Sequence, residues 1–371
     1  MLSNHLKDYA EKKYGKRLPY LKAAGCIPEE ELWSCTPDEA VLMKFFYGTM
    51  PLRDAGEYEF GTFLSFVKHA LWLRENKDWC AALPEDIFVN HVLYYRINSE
   101  DISENRCFFY EQIKNLLPEA GCGSDRLRET VLAINYWCAE NAAYQASDMR
   151  TASPMTVYRS GKGRCGEEST FAVTAFRSAG IPARQVYTPR WAHCDDNHAW
   201  VEVWLNGKWY FLGACEPEEI LNKGWFSHAS SRALLVHSRN FSDFTGEIAE
   251  ECIGKEGVTY FYNNTSTYAR TLKLTVTVRD REGKPAKGAE VSFEILNMAE
   301  YCSVATLRTD EKGEVSLTMG LGDIHIRAML DGWFGEALVS AADQDRAEIL
   351  LDTDIAGMDW LTDIWMPEEV K

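Results

Sequence analysis

In GKGRCGEESTFAVTAFRSAGIPARQVY, residues 161–187, one cysteine stands between glycines at the head of an apolar helical pattern. A thiol attacks carbonyl carbon usefully only as thiolate, so a nucleophilic cysteine needs something to lower its pKa from about 8.5. A helix N-terminus offers unpaired backbone N–H groups and the positive end of the dipole. Cys165 is placed to use both: Gly161, Gly163 and Gly166 let the backbone turn tightly, and EESTFAVTAFRSAG continues as helix to Gly180. The same N–H groups, that of Cys165 included, are candidates to hold the oxyanion of a tetrahedral intermediate. The competing reading of Cys165 is a buried structural thiol.

A base must accompany such a thiol, and His198 opens the strand-like run HAWVEVW. Asn206-Gly207 predicts a hairpin with a type I′ turn, because both positions must tolerate positive φ. The partner strand KWYFLGACEPE then runs back past His198, placing residues 213 to 216 to supply the group that fixes an imidazole tautomer. The competing reading of His198 is a satisfied strand histidine. Alternation puts Trp200 and Trp204 on the face of Glu202, opposite Val201 and Val203. One tryptophan is expected to wall the cleft, while core packing is the default for Trp191, Trp200, Trp204 and Trp209. Arg164 is a candidate to stabilise thiolate or bind carboxylate, against the plainer reading of an exposed loop arginine. HCDDNH, residues 193–198, contains metal-ligating types, but neighbouring loop residues diverge, so a solvated loop at the cleft rim is expected.

YWCAENAAYQ, GRCGEES, AGIPARQVY, NHAWVEVW and GKWYFLGACEPE follow one another in residues 126–218. In that order and spacing they resemble the transglutaminase-like superfamily. This family shares a papain-like Cys-His-Asp arrangement and includes protein cross-linkers, peptide:N-glycanases and many bacterial candidate cysteine proteases. The resemblance implies Cys165 as nucleophile and His198 as general base and acid; the residue pattern itself adds Gly163, Arg164, Gly166 and Trp200 as candidates for the oxyanion and substrate-binding side. It implies no metal and no organic cofactor. The third position departs from the pattern: most relatives carry Asp four residues after the tryptophan, and here Trp209 is followed at that distance by Gly213. Glu216 is the candidate substitute in the triad; Asn197, a backbone carbonyl or no group at all are the alternatives.

The 371 residues are 46% apolar and 26% charged, which describes folded protein. Thirty-nine basic against 56 acidic side chains give a net charge of −17, which disfavours nucleic acid and anionic lipid as partners. Eleven cysteines, scattered and never spaced C-x-x-C, suggest a reducing compartment, and no run is apolar enough for membrane insertion. A cytoplasmic protein is expected.

Periodicity predicts an α+β protein in parts. Residues 1–125 repeat apolar positions at helical spacing, with prolines at 28, 37, 51 and 84 as punctuation. Residues 126–265 form the core with its small antiparallel sheet. Period-two runs across 268–352 predict a β-sandwich resembling carboxypeptidase-regulatory-like or Ig-like modules, a possible partner-docking element, and 353–371 is a tail with Trp360 and Trp365. The expected activity is cysteine-dependent acyl transfer on an amide of a peptide or protein substrate through a thioester, with hydrolysis favoured. The alternatives are a protein-glutamine transglutaminase and a catalytically weak module that binds peptide or glycan, the latter kept open by Gly213.

Overall fold

The computed structural model describes residues 2–26, 28–119, 124–146, 150–246 and 250–354. Trp360, Trp365 and the rest of the expected tail from 355 onward lie outside the described residues. The chain divides into two compact units, one of residues 1–187, 198–227 and 237–262, the other of 188–197, 228–236 and 263–371. No helix of the described residues is long and apolar enough to cross a membrane.

In the first unit, helices α1 (Asn4–Ala23), α2 (Pro37–Thr49), α3 (Phe60–Asn76) and α4 (Arg106–Ile113) lead to α5 (Ser124–Asn141), α6 (Pro154–Ser160) and α7 (Cys165–Ser178). Local chemistry sets their ends. The Ser3 hydroxyl accepts from the Leu6 N–H at the start of α1, and Thr36 and Glu39 cap each other around Pro37 at the start of α2. Pro51 forces the preceding Met50 into an extended conformation, which stops α2. Phe45, Phe46, Phe63, Tyr94 and Tyr95 form one buried cluster. Most of its ring pairs meet edge to face, as quadrupoles prefer: Phe63 and Tyr95 lie 4.9 Å apart, Phe46 and Tyr94 5.4 Å, while Tyr94 and Tyr95 stack.

A second cluster joins α5 and α7 to the sheet through Cys138, Phe171, Phe176, Val201 and Leu212. α7 is buried from Glu167 to Ser178 although half its residues are polar. It tolerates this because the polar groups are satisfied within the helix or against backbone. Thr174 donates to the Thr170 carbonyl at 2.8 Å, Ser178 to that of Thr174 at 2.7 Å, and Arg177 to the Tyr94 carbonyl at 2.8 Å.

Strands β1 (Ala183–Thr188), β2 (His198–Leu205), β3 (Lys208–Leu212), β4 (His237–Asn240), β5 (Cys252–Glu256) and β6 (Thr259–Asn263) form a six-stranded sheet in the order β3-β2-β1-β4-β6-β5. β2 and β3 are the expected hairpin: Leu205 pairs with Lys208, and Asn206 and Gly207 take φ of 52° and 80°. Val201 and Val203 face the helices. Glu202, on the opposite face, is buried and meets Arg184 at 2.7 Å, and Arg184 in turn lies 4.0 Å from the Trp209 ring. A buried carboxylate is tolerated there because it is paired.

The second unit holds β7 (Thr271–Arg279), β8 (Glu290–Asn297), β9 (Glu300–Arg308), β10 (Glu314–Gly320), β11 (Asp323–Leu330), β12 (Trp333–Ser340), β13 (Arg346–Leu350) and β14 (Thr353–Asp354). They make a five-stranded sheet, β9-β8-β11-β12-β14, and a three-stranded one, β10-β7-β13. Leu274, Val276 and Val278 of β7 are buried and Lys273 is exposed, as the period of two requires. Residues 193–196 are exposed, as expected of a solvated loop, and the segment is also tied down. Asn297 donates to the carbonyls of Trp191 and Cys194 at 3.0 and 2.8 Å, and Asp195 accepts from the Met298 N–H at 2.8 Å. The β8–β9 turn holds this segment inside the second unit.

Candidate active site

The start of α7 is built by its neighbours in sequence. Gly161 ends α6 in the left-handed region at φ 69°. Gly163 keeps this entry uncrowded, since a β-carbon there would stand 3.0 Å from that of Glu167 and press on it. Glu167 then ties the entry together, one carboxylate oxygen accepting the Arg164 N–H at 2.9 Å and the other the Ala152 N–H at 2.8 Å. The Arg164 guanidinium donates to the Arg150 carbonyl at 2.8 Å. At Gly166 a β-carbon would meet open space, so this glycine is not required sterically and leaves room beside the thiol.

The backbone N–H groups of Gly166 and Ala199 both pull the pKa of the Cys165 sulfur down. The first is its own helix terminus; the second follows His198 at the head of β2. Helix and strand therefore meet at the sulfur. Burial pushes the Cys165 thiol above its ordinary pKa, against the two N–H groups and the Arg164 charge, which pull it down; Glu168 adds to the rise. The expectation that the helix terminus lowers this pKa is corrected: its pull is present, and desolvation of a half-buried sulfur exceeds it.

His198 is buried in a box of rings, its centroid 4.8 Å from Trp225, 5.0 Å from Phe226 and 5.8 Å from Trp200. Trp200 is fully buried and stacks on Phe226 at 4.8 Å. The expectation that it binds substrate is therefore corrected, because it supports the imidazole from within and has no accessible face. The exposed tryptophan is Trp225, at 62%. Its indole N–H donates to Oε2 of Glu216 at 2.8 Å.

Glu216 reaches this place because the chain doubles back after β3. Gly213 and Glu216 form an antiparallel bridge, and Cys215 between them sits at φ 56°. Asn135 of α5, almost wholly buried, clamps the turn: its amide donates to the Gly213 carbonyl at 2.8 Å and accepts the Cys215 N–H at 3.1 Å. Burial raises the Glu216 pKa and the Trp225 bond lowers it, with a net rise. Glu168, one helical turn into α7, is raised to about 8 by burial and then by the charges of Glu216 and Glu167. The charge of the half-buried Glu216 thus bears on buried Glu168, whose carboxyl holds a proton at neutral pH.

Glu168, Trp225, Phe226 and Asn135 escaped the reading of the sequence. The first lies in the quoted GRCGEES, where only the cysteine drew attention; the others carry no local signal, since each acts through a residue distant in the chain. Arg164 acts on the thiol by charge alone and is anchored to a loop carbonyl.

Residues 116–214 match the model of the transglutaminase-like superfamily, a match that covers well under half of the chain. Among solved structures the chain is similar to a candidate cysteine protease from Cytophaga hutchinsonii, at 17% identity and TM-score 0.22 over 44% of this chain and 64% of that one. It is similar to a TGase at 20% identity and TM-score 0.24, over 30% and 31%. It is also similar to a streptococcal ancillary pilin at 13% identity and TM-score 0.19, over 46% and 60%. The chain spans less than two thirds of each of these structures. No curated protein matches it.

Proposed function

We propose that the chain is a cysteine-dependent acyl-transfer enzyme that hydrolyses an amide of a peptide or protein, with Cys165 as nucleophile, His198 as base and acid, and Glu216 as the carboxylate of the triad. One observation carries the reading: the helix headed by Cys165 packs on the strand headed by His198, so that the N–H of Ala199, the residue next to His198, acts on the Cys165 sulfur. The raised thiol is neutral at rest, so His198 takes its proton as sulfur bonds to the carbonyl carbon and the C=O pair moves to oxygen. The N–H of Cys165, at the open end of α7, faces the developing charge. Collapse expels the amine, which takes the proton from His198 and leaves a thioester. Water, deprotonated by the same imidazole, then releases the acid and restores the thiol.

The test is the alkylation rate of each cysteine by iodoacetamide at pH 7.5, read by peptide mass spectrometry, alongside turnover of an amide library with and without a labelled amine. Cys165 is expected to react faster than the exposed Cys107 and Cys194, and His198→Ala to slow it by about tenfold or more. Product without dependence on amine marks a hydrolase; amine incorporation marks a transferase. Equal reactivity of Cys165 and the exposed thiols overturns the enzyme and leaves a binding cleft, the reading that Gly213 and the raised thiol favour.

A further inference from the structure

The first unit holds a cavity of about 340 Å³ that neither Cys165 nor His198 lines. Arg239 of β4 lies between the rings of Tyr187 and Phe261, 5.9 and 5.7 Å from their centroids. One guanidinium N–H donates to the Asn98 side chain, while Nε is buried and has no hydrogen-bond partner. Asp101 and Glu256 line the same cavity. None of these three charges belongs to an ion pair among the described residues, the pairs being those of other side chains.

The remaining charges of the lining are consumed internally. Arg96 clamps Asp54 with two bonds of 2.7 Å. Glu100 accepts the Ile97 and Asn98 N–H groups at 2.7 and 2.6 Å, and Arg53 meets Glu57 at 2.8 Å. What is left over in the lining is the Arg239 guanidinium and the exposed carboxylates of Asp101 and Glu256, with Tyr58, Phe241 and Phe261 as the apolar part of the wall. Burial depresses the Arg239 pKa further than the attraction of Tyr187, Glu100 and Glu256 restores it, so an anion bound at the guanidinium would favour its charged form. A ligand that brings a carboxylate to Arg239 and an ammonium to Asp101 and Glu256 would satisfy both ends at once. The volume sits at the small end of ligand sites, which run from about 300 to 1,000 Å³.

We propose that this cavity binds a free amino acid with an apolar side chain, its carboxylate on Arg239, its ammonium toward Asp101 and Glu256, and its side chain against Phe241 and Phe261. The site goes beyond the proposed reaction and stands or falls independently of it. Calorimetric titration of the full chain with L-leucine, L-methionine and L-phenylalanine, with their N-acetyl acids and with their amides, tests it. At least one free amino acid is expected to bind with Kd below about 1 mM, and its two blocked forms about tenfold or more weaker. Arg239→Gln is expected to remove binding, and the double variant Asp101→Asn, Glu256→Gln to weaken it several-fold. Absence of binding at about 10 mM, equal binding by a blocked form, or unchanged binding by a folded Arg239→Gln overturns the proposal. If Arg239→Gln does not fold, the blocked forms on the native chain decide alone.

Discussion

Oε2 of Glu216 lies 3.0 Å from the point at which a β-carbon on Gly213 would stand. A side chain three residues further on thus fills the space beside the position where the resembling family carries aspartate. The left-handed Cys215 and the Asn135 clamp make that folding back possible, and the Trp225 indole, itself against His198, holds the carboxylate from the other side.

This geometry predicts how the site responds to an aspartate at 213. Gly213→Asp alone is expected to destabilise the protein by about 1–3 kcal/mol, because its β-carbon meets Glu216 Cβ at 3.0 Å and the Glu216 carbonyl at 3.1 Å. Glu216→Ala is expected to lower kcat by roughly 10²-fold or more, the scale of losing a triad carboxylate. The double variant Gly213→Asp, Glu216→Ala removes only the Oε2 contact, since alanine keeps its β-carbon and carbonyl, and it supplies a carboxylate again. Its kcat should exceed that of Glu216→Ala; a double variant no more active than Glu216→Ala sinks the assignment of Glu216.

Trp225→Phe keeps a ring beside His198 and removes the N–H that Glu216 accepts. The bond favours the ionised carboxylate, so its loss raises the Glu216 pKa further. The acid limb of the pH–rate profile should move to higher pH, and kcat at pH 7 should fall by up to about tenfold. Because Trp225 is exposed, the thermal midpoint should change little. An unshifted acid limb means that the indole does not act through Glu216.

Glu168 makes a prediction about stability. Its pKa rises from an ordinary 4.5 to about 8 on folding, so the folded state holds the proton more tightly. The associated stability is present below about pH 4.5 and is lost as pH climbs through about 8. Glu168→Gln carries no charge at any pH. The two proteins should melt together near pH 5, and near pH 8.5 the variant should be the more stable by on the order of 2–4 kcal/mol. Parallel melting curves across this range contradict the raised carboxyl.

Much of the frame was legible without coordinates. Pro37, Pro51 and Pro84 mark helix boundaries as their fixed φ and missing N–H require, and Asn206-Gly207 turns β2 into β3. Cys165 heads its helix, and the five motifs carry the family. The tryptophans were harder, because alternation tells which face of β2 Trp200 shares with Glu202 but not what covers that face. Trp200 is sealed by Phe226, while the accessible indole comes from Trp225, in a loop with no periodic signal at all.

What residues 161–187 and 197–218 determined by themselves was where the backbone turns, caps and pairs, since these preferences act over a few neighbouring residues. Tertiary structure alone decided the state of the groups so placed. Whether the Cys165 thiol rises or falls, which side chain stands beside Gly213, and whether Arg239 finds a counter-ion all depend on water removed and charges brought near by segments far away in the chain. Desolvation and Coulomb energy sum over space, and only the folded chain specifies which distant groups share that space.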